Sequence, residues 1–551
     1  MIPTEPQGRA RGHALDRRQL LKGGMIGMGL FAAPLGAQAP GDGFTHGVAS
    51  GEPGQNTVLL WTRCVGEAEI ALEWQVAEDE NFTRIASEGF AKASPARDWC
   101  AKAVAEGLAP GQWYYYRFIA PDGSMSDVGR TRTLPDGPVA RWRMAVFSCA
   151  NLGFGWFNAY AHAAEAGDFD MVVHTGDYLY EYPEGTYPDR MMDGRRLWPD
   201  HETVTLADYR LRHAAYRADP DLRRLHQLWP MVMGWDDHES TNDSYADGAE
   251  NHQPDTEGDW QVRKGAAMRA YREWLPVSDE PWARYEIGEL ATLFRLETRL
   301  TARSQPPSLA ELLKGAAGRD EMIARLTAFR EGAYADPART VLGDAQELWL
   351  ADGLKSSRRS GRTWQVLAQQ VVMGRFASPA ELVEGLAGEA PDWLRGRLLA
   401  AAAASRAGLP ANMDAWDGYP AARERLLAAA READANLVTL TGDTHNAWAF
   451  QLEHAGEAAG IEFAGQSVTS PGFESYLTTI APADLSKAMV SDNPQLSWAE
   501  TSRRGYMAVE LTPTRASCEW RMMAGVRERS TRLAGSHSMA SMAGSNRFDA
   551  G

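Results

Sequence analysis

Cysteine is scarce in this chain. Cys64, Cys100, Cys149 and Cys518 are the four among 551 residues, and their spacing matches no zinc-binding pattern. Cys64 and Cys100 fall in the same N-terminal domain and are candidates for a disulfide in an oxidising compartment, a pairing that spacing leaves open. Basic residues are also in deficit, 56 Lys and Arg against 73 Asp and Glu, for a formal charge of −17. No basic patch interrupts that excess, so the surface repels nucleic acid and anionic membrane and excludes a nucleic-acid regulator. An anionic phosphate ester is not excluded, because bound cations reverse the potential inside a cleft. The run from Gly23 to Leu35 is too short for a permanent membrane span, and no internal repeat is evident.

What is present is apolar mass. Hydrophobic residues make up 44% of the chain and include 19 Trp, which requires folded cores, and the length calls for more than one domain. Arg17-Arg18-Gln19-Leu20-Leu21-Lys22 precedes the weakly apolar Gly-rich run, and Ala37-Gln38-Ala39 follows it. Residues 1–40 therefore read as a twin-arginine signal peptide, with the export machinery as a partner and a periplasmic or secreted destination. That route carries folded proteins, often already loaded with metal.

Residues 41–137 alternate short strands, 57–62, 70–76 and 113–118, with turns such as Glu52-Pro53-Gly54, the pattern of a small all-β sandwich of fibronectin type III size. Leu134-Pro135-Asp136-Gly137-Pro138 reads as the linker. From 138 to 535 the grammar is α/β: buried strands at 143–147, 170–174, 231–234, 364–368 and 437–440 alternate with helices at 158–166, 344–356, 381–404 and 421–433. Residues 536–551, small and polar, read as a disordered tail.

Four of these strands run into metal-ligating side chains: Ser148-Cys149, Gly176-Asp177-Tyr178-Leu179-Tyr180, Asp236-Asp237-His238-Glu239 and Gly442-Asp443-Thr444-His445. A buried cysteine, a Gly-Asp turn or an acidic loop each has a purely structural explanation. Four strand ends with the same character do not, and loops beyond the carboxyl ends of strands converge. The donors define an oxygen-rich anionic centre with one sulfur. Carboxylates suit hard cations, and thiolate with phenolate favours a redox-capable ion such as ferric iron.

The three motifs around Asp177, Asp237 and Asp443, with Gly47-Val48-Ala49-Ser50-Gly51-Glu52-Pro53, Leu60-Trp61-Thr62-Arg63 and Met413-Asp414-Ala415-Trp416-Asp417-Gly418-Tyr419-Pro420, resemble the alkaline phosphatase D (PhoD) family, within the calcineurin-like metallophosphoesterases. The resemblance implies a sandwich of mixed sheets flanked by helices, behind the small all-β domain. It implies hydrolysis of phosphate mono- and diesters by metal-activated hydroxide at a binuclear or larger centre of Fe(III) and Ca(II), or other divalent ions. Iron is implied on Cys149, Asp177, Tyr180 and His445, with Asp177 bridging to calcium on Asp237 and Asp443, and His238 at the phosphoryl oxygens or the leaving group. Two departures stand out: Asp237 replaces the superfamily's Asn, and Glu297-Thr298-Arg299-Leu300 stands where the family carries Asp-Thr-Arg and an aromatic. A phospholipase D-like diesterase is the alternative enzyme, and a surface-binding protein with a structural metal is the alternative outside catalysis.

Overall fold

The computed structural model of the protein describes residues 43–389 and 392–549; the twin-arginine segment lies outside the described residues. Two large sheets lie face to face. One has nine strands in the order Leu533–Met542, Arg515–Met523, Gly505–Leu511, Trp142–Phe147, Met171–His174, Pro230–Met233, Phe44–Gly51, Val58–Cys64 and Cys100–Ala105. The other has seven: Ala283–Ile287, Ala291–Arg295, Trp364–Ala368, Leu437–Thr441, Glu457–Ala464, Ala447–His454 and Leu496–Glu500.

The apolar strands follow from burial on both faces. In Trp142–Phe147, residues 142, 144 and 146 enter the core between the sheets while Ala145 and Phe147 face the helical layer, as the period of two dictates. Met144, Val146, Val173 and Val232 thereby join Val366, Val438, Leu440 and Phe463 in one core. Helices Asn158–Ala166, Pro220–Leu228 and Trp260–Trp274 cover the outer face of the nine-stranded sheet through Tyr160, Leu222 and Tyr271. Helices Gly343–Arg359 and Pro420–Glu432 cover the other sheet through Leu350 and Leu426. Each fully buried Val or Leu contributes about 1.5–3 kcal/mol, so strands covered on both sides read as unbroken apolar runs.

Register then positions the chemistry. Parallel pairing aligns Phe147, His174 and Met233 across three neighbouring strands, and their following residues emerge side by side. The second sheet aligns Arg295, Ala368, Leu440 and Phe463 in the same way. The Asp443 turn thus belongs to a different sheet from the turns of Cys149, Asp177 and Asp237. The site forms where the carboxyl ends of both sheets meet.

The N-terminal strands form a sandwich with the four-stranded sheet Ile85–Ala93, Ile70–Ala77, Trp113–Ile119, Gly129–Arg132, around Val58, Leu60, Leu72, Tyr116 and Phe118. One face of that sandwich is continuous with the nine-stranded sheet, because Ser50 pairs in parallel with Pro230. Cys64 and Cys100 are both free thiols. Cys100 lies opposite Arg63, so Cys64, one residue on, faces the other side: Cys64 packs into the sandwich core and Cys100 against Trp61 and Trp274.

Two expectations are corrected. The tail is ordered through residue 549: Leu533–Met542 pairs antiparallel with Arg515–Met523, and Asn546 accepts from the backbone N–H of Leu437 and donates to the carbonyl of Ala435. Main-chain pairing needs no large side chains, so a run of Gly, Ser, Ala and Met conceals a strand. The helix expected over 381–404 is two, Ala380–Glu389 and Asp392–Arg406, on either side of Pro391, which supplies no N–H to a helix interior. No helix among the described residues is long and apolar enough to cross a membrane.

Candidate metal centre

The turns that leave the aligned strands are bent into an unusual backbone conformation. Cys149, Asp177, Asp443 and His445 have φ of 57°, 52°, 61° and 55°, in the left-handed region that costs a non-glycine residue about 1–3 kcal/mol and gathers at functional sites. The turns also touch. A Cβ on Gly176, whose φ is 111°, would lie 2.4 Å from Cβ of Asp236, so only glycine lets the Asp177 turn close onto the next one. Glu239 ties them together: its carboxylate accepts the backbone N–H groups of Asp177 (3.1 Å), Tyr178 (2.6 Å) and Asp236 (2.7 Å).

Ligating atoms converge in three overlapping groups, each within 4.8 Å: Cys149, Asp177 and His445; Asp177, Asp237 and His238; Asp236, Asp237 and Asp443. Asp177 and Asp237 are shared, which makes the groups one continuous cluster. Tyr180 sits at its centre, its hydroxyl 2.9 Å from Asp177 Oδ2, 3.0 Å from His445 Nε2 and 2.8 Å from Ser470 Oγ. All seven residues singled out in the sequence, 149, 177, 180, 237, 238, 443 and 445, meet here.

The electrostatics suit bound cations. Buried Oδ1 of Asp177, Oδ1 of Asp237 and Oδ2 of Asp236 have no hydrogen-bond partner, each a cost of about 1–3 kcal/mol or more if left so. Burial pushes Asp177 well up from the ordinary carboxylate range, opposed by His238 and reinforced by Asp237. Burial, then Asp236, raises Asp443 in the same way. Burial and Asp177 raise the Cys149 thiol. Burial and Arg504 lower His445 to about 3, so its imidazole is neutral, the form that ligates. A donor set of orphaned carboxylates, a thiol, a phenol and a neutral imidazole fits bound cations, which exchange for the protons these groups otherwise keep.

His238 is arranged differently. Its Nδ1 lies 2.7 Å from Glu181 Oε2, and its ring lies against Tyr180 at a tilt of 32° with centroids 4.1 Å apart. Burial disfavours its charge, but Asp237, Glu181 and Asp177 outweigh that and raise its pKa well above the ordinary value. Glu181 is fixed in turn by the N–H of Asn242 (2.8 Å) and the hydroxyl of Thr241 (3.1 Å). Glu181→Gln is expected to lower kcat on the order of 10–100-fold with KM nearly unchanged, because it loosens the hold on His238 Nδ1 while leaving Cys149, Asp177, Asp237, Asp443 and His445 in place. Steady-state kinetics on a phosphomonoester, with metal content measured alongside, checks this.

Several site residues carry no assignment from sequence. Arg299 is fully buried and directs its guanidinium at four carboxylates: Nε to Asp236, Nη1 to Asp414, and Nη2 to Asp443 (3.4 Å) and Asp237 (3.7 Å). Arg303 makes a second contact to Asp414, at 2.6 Å. Arg299 follows the strand Ala291–Arg295, another apolar strand end turning polar, so the signal that marked Cys149 was present there as well. Glu297, one of the two departures, accepts from Trp235 Nε1 (2.8 Å) and from the N–H groups of Arg299 (2.8 Å) and Leu300 (2.7 Å), which fixes the turn carrying Arg299. Leu300 packs in the helical core.

Comparison with known proteins finds relatives in sequence and in fold. A family model described as PhoD-like phosphatase matches residues 144–520, and one described as its N-terminal domain matches residues 31–135. The chain is 32% identical to alkaline phosphatase D of Bacillus subtilis (strain 168) over 532 residues, covering 90% of this chain and 80% of that protein. A solved structure titled "Structure of PhoD" superposes with a TM-score of 0.74 at 29% identity, covering 94% of this chain and 93% of the other.

Proposed function

Because this chain belongs to the PhoD-like phosphatase family and is a phosphoric ester hydrolase, we propose that it is an exported phosphatase and phosphodiesterase working at a centre of ferric iron and calcium. The observation that carries the reading is the convergence of Cys149, Asp177 and His445 within 4.8 Å, with the Tyr180 hydroxyl against the last two. Thiolate, phenolate and imidazole together suit a softer, redox-capable ion, and Cys149, Asp177, Tyr180 and His445 are its ligands. Asp177, Asp237 and Asp443 offer oxygen alone and hold the harder calcium. Bound there, the cations act as Lewis acids that lower the pKa of water and offset charge on the phosphoryl oxygens.

The chain's own groups complete the chemistry. Glu181 holds Nδ1 of His238, which leaves Nε2 to carry a proton to the departing alkoxide of the ester. Arg299 balances the carboxylates and holds Asp236 and Asp414 in place. Glu239 fixes the Asp177 turn through its backbone, leaving the Asp177 side chain free to ligate. The division into an N-terminal β unit, 41–137, and a catalytic unit from 138 belongs to the same proposal, as does export by the twin-arginine route to the periplasm or beyond, which rests on Arg17-Arg18 and the segment after it.

Ferric iron bound by thiolate or phenolate gives a visible charge-transfer band. The purified protein should be coloured and contain iron and calcium by elemental analysis, with the band weakened in Cys149→Ala and in Tyr180→Phe. A colourless, fully active protein without iron overturns the iron assignment.

A further inference from the structure

A cleft of about 630 Å³ opens away from the metal cluster and shares no residue with it. One wall is the edge of the N-terminal sheet, with Leu59, Arg97 and Lys102, and the other is the helix Trp260–Trp274 and the loop after it, with Met268, Arg272 and Val277. Its volume is that of ordinary small-molecule sites, roughly 300–1,000 Å³.

The charge of this lining runs against the rest of the protein. Arg97, Lys102, Arg269 and Arg272 face Glu273 and Asp279, an excess of cations on a chain of net charge −17. Glu273 is already saturated: Arg210 donates to both its oxygens, at 2.6 and 2.7 Å, and Arg269 adds a third contact at 2.9 Å. Asp279 is 92% exposed and pairs loosely with Arg272, its carboxylate 3.8 Å from a buried Nε that makes no hydrogen bond, while Arg272 Nη2 donates to the Asp279 carbonyl at 2.8 Å. The half-buried Lys102 ammonium donates to the carbonyl of Val277 and has no carboxylate at ion-pair distance among the described residues; burial lowers its pKa to about 8, against the pull of Cys100, Glu52 and Asp279. Arg97 has no carboxylate partner among the described residues. Lys102 and the exposed Arg97 thus border one cleft without a carboxylate partner, and Arg272 with only a loose one, beside an apolar wall of Leu59, Met268 and Val277. A half-buried cation such as Lys102 without a close counter-ion is costly, and an anionic ligand lowers that cost.

We infer that this cleft is a second binding site, for a small organic phosphate or phosphonate whose anionic group contacts Lys102, Arg272 and Arg97 and whose apolar part lies on Leu59, Met268 and Val277. The site also borders the catalytic turn: the Arg272 guanidinium lies over the Trp235 ring, 5.6 Å from its centroid, and Trp235 precedes Asp236 and Asp237. Phenylphosphonate is the probe, since it has a dianion and a ring and cannot be hydrolysed as an ester.

In calorimetric titration of the metal-loaded full chain, wild type should bind one equivalent more than Lys102→Met/Arg272→Met, or bind at the second site on the order of tenfold or more tightly. Gly265→Leu tests the same cleft by bulk: a Cβ on Gly265 meets nothing within 4 Å, and Leu is a better helix former than Gly, so the variant folds while filling the space. It should lose the extra equivalent too, and Lys102→Met should keep the wild-type kcat on a phosphomonoester. Inorganic phosphate should bind the cleft several-fold more weakly than phenylphosphonate, and equal affinity overturns the role of the apolar wall. Equal stoichiometry and affinity in wild type, the double variant and Gly265→Leu overturns the site.

Discussion

Asp177→Asn is expected to abolish turnover and to strip metal from the protein while leaving the fold intact. The carboxylate belongs to two of the three ligand groups, and its Oδ1 is buried without a partner, so no other side chain substitutes for it. An amide of the same shape keeps the oxygen that accepts from Tyr180 but loses the charge that attracts cations. The turn survives, because Glu239 holds the backbone N–H of residue 177 and not its side chain. The rate loss should exceed the roughly 10²–10³-fold that follows from removing a single transition-state hydrogen bond, since ligand and charge go together. Stability of the metal-free protein should hold or rise, because Asp177 stands among other buried carboxylates. Initial rates with elemental analysis check both halves, and full activity in the variant removes the assignment.

Arg299→Met should have the largest effect on stability, and the effect should depend on metal. Arg299 and Arg303 are set against Asp236, Asp237, Asp414 and Asp443, so two negative charges remain, the complement of one divalent cation. Removing the guanidinium leaves Asp236 buried without its counter-ion. Breaking a buried charge network by deleting one partner costs about 3–5 kcal/mol. A bound cation offsets part of that loss, so chelator-treated variant should be destabilised more than metal-loaded variant. Denaturant titrations of wild type and Arg299→Met, with and without chelator, measure the difference. An equal loss in both states means that Arg299 serves packing and not the charge of the cluster.

How much of this was legible without coordinates depends on the range of the signal. The strands Trp142–Phe147, Met171–His174, Pro230–Met233 and Leu437–Thr441 stand out as apolar runs, because burial on both faces removes the polar positions that blur an exposed strand. Their polar ends stand out for the same reason. Leu533–Met542 does not, since its pairing uses backbone groups that every residue carries. The role of Arg299 is hidden in the sequence, because an arginine near acidic motifs has no meaning until it is known which carboxylates it faces, and Asp414 lies 115 positions away.

By itself the sequence determined the kind of chemistry: the donor types, their placement after buried strands, and the acidic balance that calls for cations. Tertiary structure alone decided that the four turns come from two sheets and close on one another, that Asp177 and Asp237 are shared, that Glu181 orients His238, and that Lys102, Arg97 and Arg272 border a separate cleft. The reason is physical. Residue type and local period act over a few positions of chain, whereas ligation and charge balance are set by distances of a few ångströms between groups that folding brings together from far apart.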